Sequence, residues 1–164
     1  MKIWIILAVA VLLMVIYVLT REKSRFVPAD INKVKDSIKE LLNADYTKDG
    51  FIIIKGNSSD QFIQFERVNF GLLLWWPNVK VQQENIEKLK LELKAAEYFS
   101  KTESDQKLEN LRYKEFLQND EGVYVNVGDN SDEIADLVKR LFRGIFGYDD
   151  FDNLKIQLDL GIFE

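Results

Sequence analysis

The side chains best equipped for chemistry are the carboxylates of Asp149, Asp150 and Asp152, crowded together near the carboxyl end. Carboxylates at that density can hold a divalent cation, or divide into general acid and base, when several converge on one point. The spacing D-D-F-D lacks the Gly at the sharp turn and the closing Glu of an EF-hand loop, so a solvated loop just beyond a helix is expected instead. A second acidic stretch, Asp129 to Glu133, suits helix capping better than cation binding, because short polar side chains at a helix start accept from its free N–H groups. Lys139, Arg140 and Arg143 could grip a phosphate, yet cations toward a helix end already offset its dipole. Gly144 and Gly147 are not followed by the Lys-Ser/Thr of a phosphate loop.

What is missing narrows the chemistry further. The chain has no His and no Cys. That rules out imidazole bases, Ser-His-Asp triads, thiolate nucleophiles and the usual zinc sites. Acid/base work by carboxylate, Tyr or Lys stays open, but no catalytic, cofactor-binding or metal-binding residue stands out, and no cofactor is expected. A carboxylate-dependent metal hydrolase is the last-ranked alternative.

Binding is better represented. In Trp75-Trp76-Pro77, alternation along a strand sends the two indoles to opposite faces, one into a core and the other outward or beneath a helix. Exposed Trp is enriched at interfaces. In the stretch Phe62 to Glu66, Ile63 and Phe65 share one side while Phe62, Gln64 and Glu66 share the other. Trp75, Trp76, Phe62, Gln64 and Glu66 are therefore the candidate protein-interaction residues.

These side chains need a scaffold, and the periodicities supply one. Asp30 caps a helix to about Asn43 with Ile31, Val34, Ile38, Leu41 and Leu42 on its buried stripe. Strands are expected at Phe51–Lys55, Gln61–Arg67 and Gly71–Trp76, then a helix over Glu84–Phe99 supported by a Glu84–Lys88 pair. A hairpin of Leu111–Gln118 and Val123–Val127 follows. The strongest helix opens at Asp129-Asn130-Ser131, carries Ile134, Leu137, Val138, Leu141, Phe142, Ile145 and Phe146, and stops at Gly147. Leu154 to Leu160 alternates as a last strand. The expected order, α-β-β-β-α-β-β-α-β, describes an α+β fold with an antiparallel sheet and helices packed on it.

Ahead of this domain lies an unbroken apolar run, Ile3 to Leu19, of seventeen residues. As a helix it would extend roughly 25 Å, the short end of a bilayer crossing. Trp4 and Tyr17 sit near its ends, where amphipathic rings favour the headgroup level. A cleaved signal needs small residues at the end of the run, but Ala8 and Ala10 lie inside it. A core helix that is apolar all round would not fit inside so small a domain. The expectation is residues 1–20 as an uncleaved single-pass transmembrane anchor, 21–29 as a basic juxtamembrane tether, and 30–164 as the α+β domain. Arg21, Lys23 and Arg25 against Lys2 and the amino terminus favour a cytoplasmic domain. Net charge is −5; setting aside Lys2, Arg21, Lys23 and Arg25 together with Glu22 leaves −8 for the rest. Such a domain is a poor binder of nucleic acid, which needs clustered Lys and Arg.

Three stretches resemble the TY-Chap domains, a bacterial group related in fold to type III secretion chaperones. They are the strand Asp-Gln-Phe-Ile-Gln-Phe-Glu from Asp60, the closing helix from Asp129 to Tyr148 with its aromatic-Gly ending, and the final strand Leu154 to Leu160. The order of elements follows that family from Asp30 to Leu160; the apolar leader departs from its usual soluble form. The resemblance implies a protein-binding, chaperone-like or adaptor module rather than an enzyme. The functional expectation is thus a membrane-anchored binding module whose partner is another protein or a second copy, with an immunity or inhibitor protein acting at the membrane as the alternative.

Overall fold

The computed structural model describes residues 26–44, 50–101 and 108–160. The expected anchor and most of the expected tether lie outside these residues. Among the described residues no helix is long and apolar enough to cross a membrane.

The chain forms an α+β fold around one eight-stranded mixed sheet. In chain order the elements are β1 (Val27–Ala29), α1 (Ile31–Asn43), β2 (Phe51–Lys55), β3 (Phe62–Val68), β4 (Gly71–Pro77), a one-turn α2 (Lys80–Gln83), α3 (Ile86–Ala95), β5 (Phe99–Ser100), a 3₁₀ turn (Leu108–Asn110), β6 (Glu115–Asn119), β7 (Gly122–Gly128), α4 (Ser131–Phe146) and β8 (Leu154–Asp159). The strands run across the sheet in the order β1-β8-β2-β3-β4-β7-β6-β5.

Both principal helices begin as their sequences direct. The Asp30 carboxylate accepts from the Lys33 N–H at 2.7 Å. The Asn130 side chain accepts from Asp132 and Glu133, satisfying donors that the first helical turn leaves open. Gly147 closes α4 in the left-handed region, φ 73°, with its N–H on the Arg143 carbonyl. One face of α1 (Val34, Ile38, Leu41) and one face of α4 (Ile134, Leu137, Val138, Leu141, Phe142, Ile145) join Leu89 and Leu93 of α3 over a single side of the sheet. There they meet Ile52, Ile54, Ile63, Phe65, Leu72, Leu74, Trp76, Val123 and Val125. Lys35 forms an ion pair with Asp132, linking α1 to α4.

Four expectations need correction. The sheet is mixed rather than antiparallel, because β5 pairs parallel to β6 at one edge. The expected tether contributes β1, whose Val27–Ala29 pair with β8. The helix expected over Glu84–Phe99 is shorter, Ile86–Ala95, and is preceded by the one-turn α2, which ends at Gln83; Glu84 lies in the turn between them, so it makes no helical partner for Lys88. The break is enforced from outside the helix: the buried Gln82 side chain donates to the carbonyls of Asp60 and Phe62, and the Gln82 carbonyl accepts from the Trp76 indole at 3.1 Å. At its other end α3 stops because Glu97 takes φ 64°, which turns Tyr98 into the core and Phe99 into the sheet. Likewise the strand expected from Leu111 starts only at Glu115. Lys114 has φ 63°, a conformation non-glycine residues adopt rarely, and Leu111 is diverted to pack on the sheet.

Candidate functional site

With α1, α3 and α4 all on one side, the sheet's outer face becomes the question. Strand register places its side chains in rows. One row reads Gln157, Ile53, Gln64, Trp75 and Tyr124 from β8 to β7, and Leu117 of β6 continues it. To one side of that row lie Lys155, Lys55 and Phe62; to the other lie Asp159, Phe51 and Glu66.

The β4-β7-β6 half of this face is covered. Leu111 packs with Leu73, Leu117 and Tyr124 in a small second core, flanked by Leu108, Val68 and Trp75. Asn126 holds that cover in place: its Nδ2 donates to the Leu111 carbonyl at 2.7 Å, and its Oδ1 accepts from Gly128 at 3.0 Å. The β8-β2-β3 half is different. Phe51, Ile53 and Phe62 are half-buried there and belong to neither core. Just before β1, the Phe26 ring lies beneath Lys55 Nζ at 5.3 Å, at the edge of this half. Gln64 and Glu66 are joined side chain to side chain at 3.0 Å.

The two adjacent indoles separate as alternation requires. Trp76 is fully buried in the main core, stacked on Phe146 with centroids 5.8 Å apart. It therefore leaves the candidate surface. Trp75 lies on the outer face at the boundary between covered and open halves, stacked on Tyr124 at 6.4 Å. Its indole N–H is buried without a hydrogen-bond partner among the described residues. Phe62, Gln64, Glu66 and Trp75 are thus brought onto one face. Sequence reasoning missed Phe51 and Ile53 as its apolar members. In Phe-Ile-Ile-Ile-Lys every position but the last is apolar, so the outward residues look like inward ones.

The charged candidates fall into structural roles. Asp150 accepts from the Asp152 N–H at 2.9 Å, an Asx turn. No group of three or more acidic side chains suited to a metal ion occurs among the described residues. Glu133 accepts from the Tyr113 hydroxyl and from Asn130 Nδ2. A groove of about 790 Å³ runs between α3 and α4. Its charges answer one another, with Lys139 on Asp136 at 3.0 Å and Arg140 near Glu92 at 3.9 Å. Arg143 lies over the Phe151 ring at 5.7 Å. This is a poor phosphate site. Tyr148, just after α4, pins the β2–β3 loop by accepting from the Asn57 N–H and donating to Gln61 at 3.0 Å.

Tyr124 makes the covered half of the face sensitive to alkali. Burial first, and then its hydrogen bond to Glu121, push its hydroxyl from 10.0 up to about 12. A folded-state pKa above the unfolded one contributes stability that is complete below pH 10 and lost as pH rises through about 12. We expect unfolding free energy to fall across that window, and Tyr124→Phe to flatten the fall. An unchanged slope in the variant would show that Tyr124 does not carry it.

No family model, curated protein or solved structure matches the chain.

Proposed function

We propose that this protein is a membrane-anchored, non-catalytic binding module that engages a protein partner through the open half of its sheet. The observation that carries this reading is the β8-β2-β3 face, where Phe51, Ile53 and Phe62 are half-buried and belong to neither core among the described residues. Apolar side chains gathered on one face, with polar Gln64 and Glu66 among them, make a surface that gains free energy when covered. The polar members confer choice of partner rather than raw affinity.

Ile3 to Leu19 serves as the single-pass anchor, with Arg21, Lys23 and Arg25 on the cytoplasmic side. Anchoring confines the domain to the membrane surface, so even a modest contact is populated there. The resemblance to TY-Chap domains in the strand from Asp60, the helix from Asp129 and the strand from Leu154 agrees with a chaperone-like or adaptor role.

Trp75 is the sharpest probe, because it borders the open half and lies outside the main core. Capture from membranes with the intact chain as bait is expected to lose its partner in Trp75→Ala and Phe62→Ala variants while far-UV circular dichroism stays unchanged. If both folded variants retain every partner, the binding face lies elsewhere.

A further inference from the structure

We infer that the groove between α3 and α4 binds a short free peptide, about three residues long, laid along α4 with its ammonium end at Glu97 and Glu133 and its carboxylate end at Arg140. The groove lies on the helix side of the sheet, so the inference goes beyond the reading above and does not rest on it.

One side chain of the groove lacks the partner its burial demands. Tyr98 is only 5% exposed and lines the groove. Its hydroxyl makes no hydrogen bond among the described residues and is not sealed from solvent, so it opens on the groove. Burial first, then the nearby Tyr113 and Glu133, hold this phenol protonated well above its usual range. At neutral pH it is therefore both donor and acceptor, as a peptide carbonyl or N–H requires. A buried hydroxyl without a partner costs free energy that a bound ligand recovers. The backbone marks the same place. Among the described residues only Glu97 and Lys114 take positive φ outside glycine, and both line the groove. Such conformations gather at binding sites.

Charge gives the groove a direction. α3 and α4 run antiparallel here: Glu92 lies against Gly144 and near Arg140, while Tyr98, beyond the end of α3, feels Glu133 at the start of α4. At the Glu133 end, Glu97 and Glu133 outnumber Lys114, which is turned over the Tyr113 ring. The Glu97 carboxylate has no hydrogen-bond or ion-pair partner among the described residues. Glu133, bonded to Tyr113 and Asn130, keeps lone pairs to spare. Asp136 and Lys139 cancel one another. At the other end Arg140 and Arg143 outnumber Glu92. Arg143 is committed to the Phe151 ring, whereas Arg140 is half-exposed and its ion pair is loose, at 3.9 Å. Its guanidinium fork has donors left for a carboxylate. Compensation of the α4 dipole accounts for the charges on that helix. It does not account for Glu97 or the unpaired hydroxyl of Tyr98, which lie outside it.

A lone cation or anion gains at one end of such a groove and loses at the other; a dipolar molecule gains at both. The span sets its length. Glu133 and Arg140 lie two turns apart on one face of α4, about 10 Å. An extended chain rises roughly 3.3–3.6 Å per residue, so a tripeptide bridges them. Between the two ends Ala95 and Ala96 carry only methyl groups, which leaves room for a main chain.

Trialanine is the probe, titrated by ligand-observed NMR against the full chain in detergent micelles. Saturable binding is expected, weakened about tenfold by acetylating the amino end or amidating the carboxyl end, because each cap deletes a charge-assisted contact. Arg140→Gln should weaken trialanine by a similar factor and leave trialanine amide unaffected. Glu97→Gln should weaken trialanine and leave acetyl-trialanine unaffected. Tyr98→Phe should weaken all three peptides alike while far-UV circular dichroism stays unchanged. Trp75→Ala, on the other side of the sheet, should alter none of them. Absence of saturable trialanine binding overturns the inference, as do capped peptides that bind as tightly as the free one. A folded Tyr98→Phe chain that binds all three unchanged overturns it too.

Discussion

Trp76→Ala should destabilise the domain by about 3–5 kcal/mol, the cost of emptying a large buried aromatic site. Trp76 is wholly buried in the main core and stacks on Phe146 of α4. Its truncation therefore opens a cavity beneath that helix as well as removing apolar contact. It also removes the indole N–H that donates to the Gln82 carbonyl at 3.1 Å. Gln82 in turn holds the start of β3 through the carbonyls of Asp60 and Phe62, so the damage spreads from the core to the edge of the open face. Trp76→Phe separates the contributions. It keeps the ring stack and loses the donor, and Asn85 N–H still donates to that carbonyl at 3.1 Å. For Phe, about 1 kcal/mol is expected from the lost hydrogen bond, added to the smaller cavity left by replacing an indole with a phenyl ring. Urea unfolding followed by circular dichroism reads both values. A loss below about 1.5 kcal/mol for the Ala variant would mean the site collapses and the indole is not a keystone.

Gly71→Ala should cost about 3 kcal/mol or more, combining backbone strain with a clash that nothing flexible can relieve. Gly71 opens β4 at φ 123°, where side-chain-bearing residues are strained. A Cβ added there would run into the backbone carbonyl of Gly128 on β7, which is held in the ladder. This close approach lies beside the register shift between Leu72 and Leu73. Alternation along β4 then keeps Leu72 and Leu74 in the main core and sets Leu73 in the second one. Gly147 provides the contrast. It is also left-handed, at φ 73°, but an added Cβ there meets nothing within 4 Å. Gly147→Ala should cost only about 1 kcal/mol. Comparable losses at the two positions would show that strain, not the clash with Gly128, governs β4.

Both substitutions probe the frame and remove no side chain of the outer face. Trp75→Ala changes the face with less harm, because Trp75 is only partly buried and packs on the small second core, stacked on Tyr124, outside the main one. The neighbouring indoles therefore divide stability from binding between them, and the pair of variants distinguishes a folding defect from a lost partner.

Much of this architecture could be read from residue order. The caps Asp30 and Asn130, the stripe of α4 and its Gly147 stop arise from neighbours one to four positions apart. So does the alternation of β3, β7 and β8. Local spacing of that kind is decided by backbone geometry before any distant contact forms. The acidic clusters were legible for the same reason: capping and Asx turns are satisfied within a few residues.

Other features depended on residues far apart in the chain. Gln82 breaks a helical stretch because its side chain is claimed by carbonyls some twenty positions earlier. Leu111 leaves a strand-like stretch because Leu73, Leu117 and Tyr124 offer it burial. Lys55, Lys155, Glu66 and Asp159 become one ordered face only when β8 joins β2 across a hundred residues of chain. Alternation told that Trp75 and Trp76 point opposite ways, but which one the helices would cover was set by the side of the sheet on which α1, α3 and α4 all dock. Periodicity encodes which residues share a face; only packing between distant segments decides which face is buried, because hydrophobic burial has no direction until two surfaces meet.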